Sequence, residues 1–86
     1  MTKSRLLVDY EIVEMSGTKL AIFKNGGEDV YVVNNETAYI LNLLKKGFGN
    51  VEIVSKVSYH YGLHSTLAGK LLGDLLIRLQ DNQLLS

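Results

Sequence analysis

The chain has 86 residues, and nine basic side chains balance nine acidic ones, so its formal net charge is zero. A chain of this length makes one domain with a modest core, because it buries only about 60–65% of the surface that its unfolded form exposes. Zero net charge argues against nucleic-acid binding through bulk electrostatics. The absence of Cys excludes disulfides and thiolate zinc sites. No signal peptide or membrane span is apparent in the sequence, so we expect a cytoplasmic protein.

The first third of the sequence predicts three β-strands. Val8, Tyr10 and Ile12 alternate with acidic residues, which is the period-two pattern of a half-buried strand. Turn signals follow at Ser16-Gly17 and at Asn25–Gly27, and Asn-Gly is a strong hairpin signal because both residues tolerate positive φ. The runs that we expect to form an antiparallel meander are residues 6–15, 19–24 and 30–33.

After these runs the apolar residues recur at helical spacing and predict three helices. Gly47 and Gly62 suit the left-handed residue that ends a helix, and we expect the third helix to run to about Asp81. We expect Val51 to open the buried stripe of the second helix. Short connections favour an α+β fold in which a three-stranded antiparallel sheet precedes a three-helix bundle, the βββααα order of a winged helix-turn-helix-like domain. The expected N-caps are Asn35, Asn50 and Ser65.

Motifs for catalysis or cofactor binding are absent from the sequence. His60 and His64 are spaced i, i+4, which would place two imidazoles on one face of a continuous helix, but Gly62 lies between them. No phosphate-binding loop, dinucleotide motif or hydrolase motif occurs, and the carboxylates form no evident acid–base pair. We therefore expect no enzyme activity, no cofactor and no metal site, with the two histidines at the surface around a helix end.

A GxxxG pattern, formed by Gly69 and Gly73, lies on the predicted third helix. Each glycine costs about 1 kcal/mol of helix propensity relative to Ala. Two such costs in one helix predict that a neighbouring helix or strand approaches closely at these positions.

The third helix also carries charges of alternating sign at i, i+4 and i+8, namely Lys70, Asp74 and Arg78. One interpretation is a solvated face with two ion pairs, each worth about 0.2–0.5 kcal/mol. The other interpretation is a peptide groove, because apolar groups interleave with these few charges. The apolar residues that border the charged stripe are Leu67, Leu71 and Ile77.

The third predicted strand, Val30–Val33, has the character of an open sheet edge. It is β-prone and apolar, and it contains no Lys or Pro that would blunt an edge. The last strand of a meander can lie at the edge of its sheet. Such an edge is either covered by something or invites a strand from another chain.

These features together resemble the PqqD-like family, the RiPP recognition elements of ribosomal peptide natural-product pathways. The resemblance covers nearly the whole chain, and the ordered set of segments carries it rather than any single motif. The family shows a strand that ends in Leu-Asn, an apolar helix, a Gly, and a second helix that begins near Glu-Ile, and Val33 stands here where Leu is usual. The matching segments are Val33-Asn34, Thr37-Ala38, Ile40–Leu44, Glu52-Ile53 and Leu71–Leu85.

The resemblance implies a non-catalytic adaptor that captures the leader of a precursor peptide as an added strand beside the third strand. The adaptor would present that leader to a separate tailoring enzyme, such as a lasso-type leader protease or cyclase, or a radical-SAM enzyme. The implied strand edge consists of Glu28, Asp29, Val30, Tyr31, Val32 and Val33, and the implied groove wall consists of Leu67, Lys70, Leu71, Asp74 and Arg78.

Two other functions stay open from the residues alone. A winged helix that binds DNA is compatible with three helices and a small sheet, although residues 65–81 hold two basic and two acidic side chains and so have no net charge. A structural module that forms a homodimer through the exposed edge is compatible with the same third strand.

Overall fold

A computed structural model of the chain describes residues 6–24 and 29–85. Three strands precede three helices, which confirms the predicted α+β fold and its βββααα order. The predicted turn Asn25–Gly27 lies outside the described residues. The strands are β1 (Tyr10–Met15), β2 (Thr18–Phe23) and β3 (Asp29–Val33), and the helices are α1 (Asn35–Lys45), α2 (Asn50–Tyr61) and α3 (Ser65–Asp81).

The three strands form one antiparallel sheet in the order β1-β2-β3, so β1 and β3 are its two edges. Ser16 and Gly17 join β1 to β2 with φ angles of 53° and 79°, the positive values that a tight two-residue hairpin turn needs. In the register of the sheet, Ala21 of β2 stands between Ile12 of β1 and Tyr31 of β3. Because opposite residues share a face, this register fixes which side chains face the helices.

The core lies between the helix-covered face of the sheet and the three helices. Leu84 and Leu85 fold back onto it, and the Leu7 N–H donates to the Leu84 carbonyl at 2.9 Å. Burial of these apolar side chains supplies most of the driving force for folding. The buried residues of the elements are Ala21, Phe23, Tyr31 and Val33 from the sheet, and Ile40, Leu41, Leu43, Leu44, Ile53, Val57, Ala68, Leu72, Leu75 and Leu79 from the helices.

The three predicted N-caps are each wrong by one residue. Asn35, Asn50 and Ser65 are the first residues of their helices, and the residues before them hold the extended backbone of a cap. The Asn34 side chain accepts from the Thr37 N–H at 2.8 Å, and the His64 Nδ1 accepts from the Thr66 N–H at 3.2 Å. At α2 the cap is Gly49, whose N–H donates to the Glu52 carboxylate at 3.3 Å.

Two predictions about helix packing are also wrong. Val51 is 84% exposed, because α2 turns Ile53 and Val57 into the core instead. Gly69 and Gly73 approach no other described element closely, since a Cβ built on either glycine would meet no described neighbouring atom within 4 Å. The GxxxG pattern therefore leaves a shallow surface on α3 and does not serve helix packing.

The predicted strand around Val8, Tyr10 and Ile12 forms only in part. Val8 precedes β1, and Tyr10 is half-buried as predicted, whereas Ile12 is exposed although it shares a face with buried Ala21. This difference arises because β1 is the edge that the helices cover least.

Candidate functional site

The direction of the backbone hydrogen bonds in the sheet follows from one bond at its end. The Lys24 N–H donates to the Asp9 carbonyl at 2.8 Å, so these opposite residues form a hydrogen-bonded pair. Hydrogen-bonded and non-hydrogen-bonded pairs alternate along an antiparallel ladder. The register therefore turns the N–H and C=O groups of Leu20 and Ile22 towards β1, and those of Ala21 towards Tyr31 of β3.

The same alternation places the backbone of Val30 and Val32 on the free side of β3. Their N–H and C=O groups point away from β2, and within residues 6–24 and 29–85 no backbone partner occupies them. Their side chains lie on the face of the sheet opposite the helices, where they are 48% and 68% exposed. We call these four groups, two N–H and two C=O, the outward groups of β3. They form a template for one more strand.

Tyr31 occupies the helix-facing side of β3 and ties this edge strand to α3. Its ring lies 5.3 Å from the ring of Phe23. Its hydroxyl accepts from the Asn82 side chain at 2.7 Å and donates to the Arg78 carbonyl at 3.4 Å. Burial raises the pKa of the Tyr31 hydroxyl, and the charge of Asp29 adds to this rise. The hydroxyl therefore stays protonated and keeps both bonds near neutral pH.

The flank of α3 that borders Tyr31 carries both apolar and charged side chains. The Arg78 guanidinium lies over the Tyr31 ring, with Cζ 5.3 Å from the ring centroid. Leu71 packs on the core, and Leu67 is 46% exposed. Asp74 belongs to the same flank by helical spacing. We call these four residues, Leu67, Leu71, Asp74 and Arg78, the Arg78 flank.

The alternating charges of α3 form one ion pair and not the two of the solvated-face interpretation. Lys70 Nζ lies 3.3 Å from the Asp74 carboxylate, and both side chains are well exposed. Arg78 instead contacts Tyr31. A pair this exposed contributes little to stability.

The predicted site residues are thus brought together only in part. Tyr31, Arg78 and the outward groups of Val30 and Val32 adjoin one another, whereas Lys70 lies about 80° around α3 from Arg78. Val33 is in the core, with its backbone turned to β2, so it contributes no exposed group to the site. Asp29 opens β3 and is half-buried. Glu28 lies outside the described residues.

Asn82 belongs to the site although the sequence analysis did not predict it. Its amide donates to the Tyr31 hydroxyl and, at 2.9 Å, to the Arg78 carbonyl at the end of α3. An Asn just after a helix is an ordinary cap residue, and nothing local in the sequence signals a partner 51 residues away.

The two histidines serve local structure. His60 stacks on Tyr39 with ring centroids 4.6 Å apart, and His64 caps α3. Gly62, with φ of 65°, ends α2 between them, so they do not share a helical face. Among the described residues no group of three or more His, Cys, Asp or Glu side chains is arranged to hold a metal ion.

Comparisons of the chain with protein-family models, with curated proteins and with solved structures find no match. The resemblance to the PqqD-like family therefore depends on the quoted residues alone. Within the described ranges, no helix has the length and apolar character needed to cross a membrane.

Proposed function

We propose that this protein is a non-catalytic cytoplasmic adaptor that binds the leader of a ribosomally synthesised precursor peptide by strand addition. It presents the bound leader to a separate modifying enzyme or leader protease. The observation that carries the proposal is the set of outward groups of Val30 and Val32, which have no backbone partner among the described residues and lie beside the Arg78 flank of α3.

An added antiparallel strand has a defined register against β3. Peptide residues opposite Val30 and Val32 form hydrogen-bonded pairs, and the residue between them stands opposite Tyr31. Because opposite residues share a face, that middle side chain points towards the Arg78 flank, and its two neighbours point to the outer face of the sheet. Main-chain bonds then supply register, and alternate side chains supply specificity.

The main-chain bonds alone do not give useful affinity. Four hydrogen bonds contribute about 4 kcal/mol in total, and association with ordering of the peptide costs at least about that much. Net affinity must therefore come from peptide side chains that bury apolar surface against Leu67, Val30 and Val32, which are all substantially exposed. A peptide with alternating apolar residues fits this requirement.

The proposal is tested with the leader segment of a short precursor encoded beside this gene, synthesised as a free peptide. Calorimetric titration is expected to show one-to-one binding that persists at high salt, because the contacts are mainly backbone and apolar. A duplex DNA of random sequence is the matched control ligand, and we expect no binding to it.

Three outcomes would contradict the proposal. Salt-dependent duplex binding without peptide binding would favour a DNA-binding winged helix. A stable dimer whose mass in solution does not change on adding peptide would favour a structural module that pairs through β3. Failure of the leader to bind at millimolar concentration would exclude the adaptor function for that pathway.

A further inference from the structure

We propose that Arg78 makes this domain select peptides with an acidic side chain at the residue opposite Tyr31. The inference rests on the proposed strand addition and adds the chemistry of the ligand to it. It identifies Arg78 as the specificity-determining residue of the site and a peptide carboxylate as the group that Arg78 binds.

The first observation is the position of the Arg78 guanidinium. It lies over the ring of Tyr31, which is the middle residue of the edge strand. Contact with a ring face leaves the N–H donors at the rim of the guanidinium plane free, and those donors match a carboxylate. Among the described residues, no carboxylate forms a salt bridge with Arg78 and no oxygen accepts from its side chain.

The second observation is that the neighbouring acid on α3 is already engaged. Asp74, one turn before Arg78, pairs with Lys70 at 3.3 Å. Asp81, three residues after Arg78, forms no ion pair with it. The Arg78 flank therefore offers an incoming peptide one cation that forms no ion pair with a described acid, and the charges of Asp29 and Asp81 act on the neighbouring Tyr31 hydroxyl.

The third observation is the register of an added strand. The side chain opposite Tyr31 extends on the helix-facing side of the sheet, about 4.5–5.5 Å from the Tyr31 Cβ. Since the guanidinium stands over the Tyr31 ring, an Asp or Glu there reaches it within one side-chain length. Because the Arg78 side chain is exposed, the pair should have the strength of a well-oriented surface ion pair.

The experiment selects peptides without assuming any known leader. A yeast-displayed library of random 12-residue peptides is sorted separately against the wild-type protein, Arg78→Glu and Lys70→Glu. The wild-type pool should enrich Asp or Glu at one position of an alternating apolar motif, and the Arg78→Glu pool should enrich Lys or Arg at that same position. Lys70→Glu is the matched control, because it makes the same charge change about 80° away on α3, and its pool should resemble the wild-type pool.

The interaction between Arg78 and the acidic residue is then measured directly with one selected peptide. Replacing its acidic residue by the amide should weaken binding to wild type about fivefold and leave binding to Arg78→Gln unchanged. Thermal unfolding of each variant checks that the exposed substitution leaves the fold intact.

The two proposals fail in different ways. Enriched peptides that protect the Val30 and Val32 amides from exchange but show no acidic preference would overturn the role of Arg78 and leave strand addition intact. An acidic preference that survives Arg78→Gln would also overturn it. No enrichment at all, or enriched peptides that leave those two amides unchanged, would overturn strand addition and the role of Arg78 together.

Discussion

The two edges of this sheet expose the same kind of backbone groups but treat them differently. On β1 the outward N–H of Tyr10 donates to the Asp9 carboxylate at 2.9 Å. Lys45 of α1 lies 2.9 Å from that carboxylate and 5.4 Å from the centroid of the Tyr10 ring, so it covers the start of the strand. Glu11 and Glu14 place further charge along the edge.

On β3 the charged Asp29 stands at the start of the strand, and no described side chain caps the N–H groups of Val30 and Val32. Val30 and Val32 present bare N–H and C=O groups, and their side chains are apolar. Charged and locally capped edges resist pairing with other chains, whereas flat apolar edges invite it. The β1 edge is thus capped and charged, whereas the β3 edge beside Tyr31 is mostly apolar. The proposed strand addition depends on this difference between the two edges.

The largest expected effect on peptide affinity comes from placing a proline in the β3 edge, with a proline in the β1 edge as its comparison. Val32→Pro removes an outward N–H and places a ring where an added strand must lie, without removing a bond to β2. Peptide binding should weaken at least about tenfold, the equivalent of about 1.4 kcal/mol. Calorimetric titration of a display-selected peptide measures this.

Glu14→Pro is the matched control, since Glu14 holds the corresponding outward position on β1 and is exposed. It should leave the Kd of the peptide unchanged. Equal weakening by both substitutions would show that the two edges do not differ in use.

The anchoring of β3 to α3 predicts a smaller effect on stability. Tyr31→Phe removes the hydroxyl that bonds Asn82 and the Arg78 carbonyl, so the free energy of unfolding should fall by about 1–2 kcal/mol. Urea denaturation measures it. Tyr59→Phe serves as the control because Tyr59 is 92% exposed, and no change is expected there. If Tyr31→Phe left the free energy of unfolding unchanged, the hydroxyl bonds would not hold the edge strand in place.

The smallest expected effect is at the β1 edge, where the stability contributed by Asp9 should depend on pH. The Lys45 side chain and the Tyr10 N–H hold the pKa of Asp9 below its ordinary value. A depressed carboxyl pKa stabilises the fold above the unfolded-state pKa, and this contribution is lost as pH falls through the folded-state pKa. NMR titration of the Asp9 carboxyl carbon should show the low pKa, and Lys45→Gln should raise it. An unchanged pKa in Lys45→Gln would contradict the ion pair at this edge.

The sequence predicted the order of elements well because its periodicities are long and uninterrupted. The leucines of α3 recur over nearly four turns, and the helix ends at Asp81, close to where its pattern predicts. Helix starts were less readable, because adjacent residues such as Asn34 and Asn35 are both good caps and only the backbone conformation distinguishes them. Val51 fitted a helical stripe as well as Ile53 did, and packing against the other helices decided between them.

The candidate site was predictable as two surfaces but not as a contact. Strand character marked β3, and charge spacing marked Arg78, each from local sequence. The hydrogen bonds that join Tyr31 to Arg78 and Asn82 span 47 and 51 residues. Sequence periodicity predicts local elements and cannot predict contacts over such a separation. The closure of the β1 edge by Lys45 was equally hidden, because that contact also depends on the tertiary fold.

Amide hydrogen exchange by NMR tests the central claim most directly, with the free protein and its complex with a display-selected peptide compared residue by residue. In the free protein the Tyr31 and Val33 amides should exchange slowly and those of Val30 and Val32 quickly, because only the latter two point away from β2. Peptide should slow exchange at Val30 and Val32 and leave Glu14 of β1 unchanged. Protection that appears instead on β1 or α2, or no gain at Val30 and Val32 in a saturated complex, would contradict strand addition at β3.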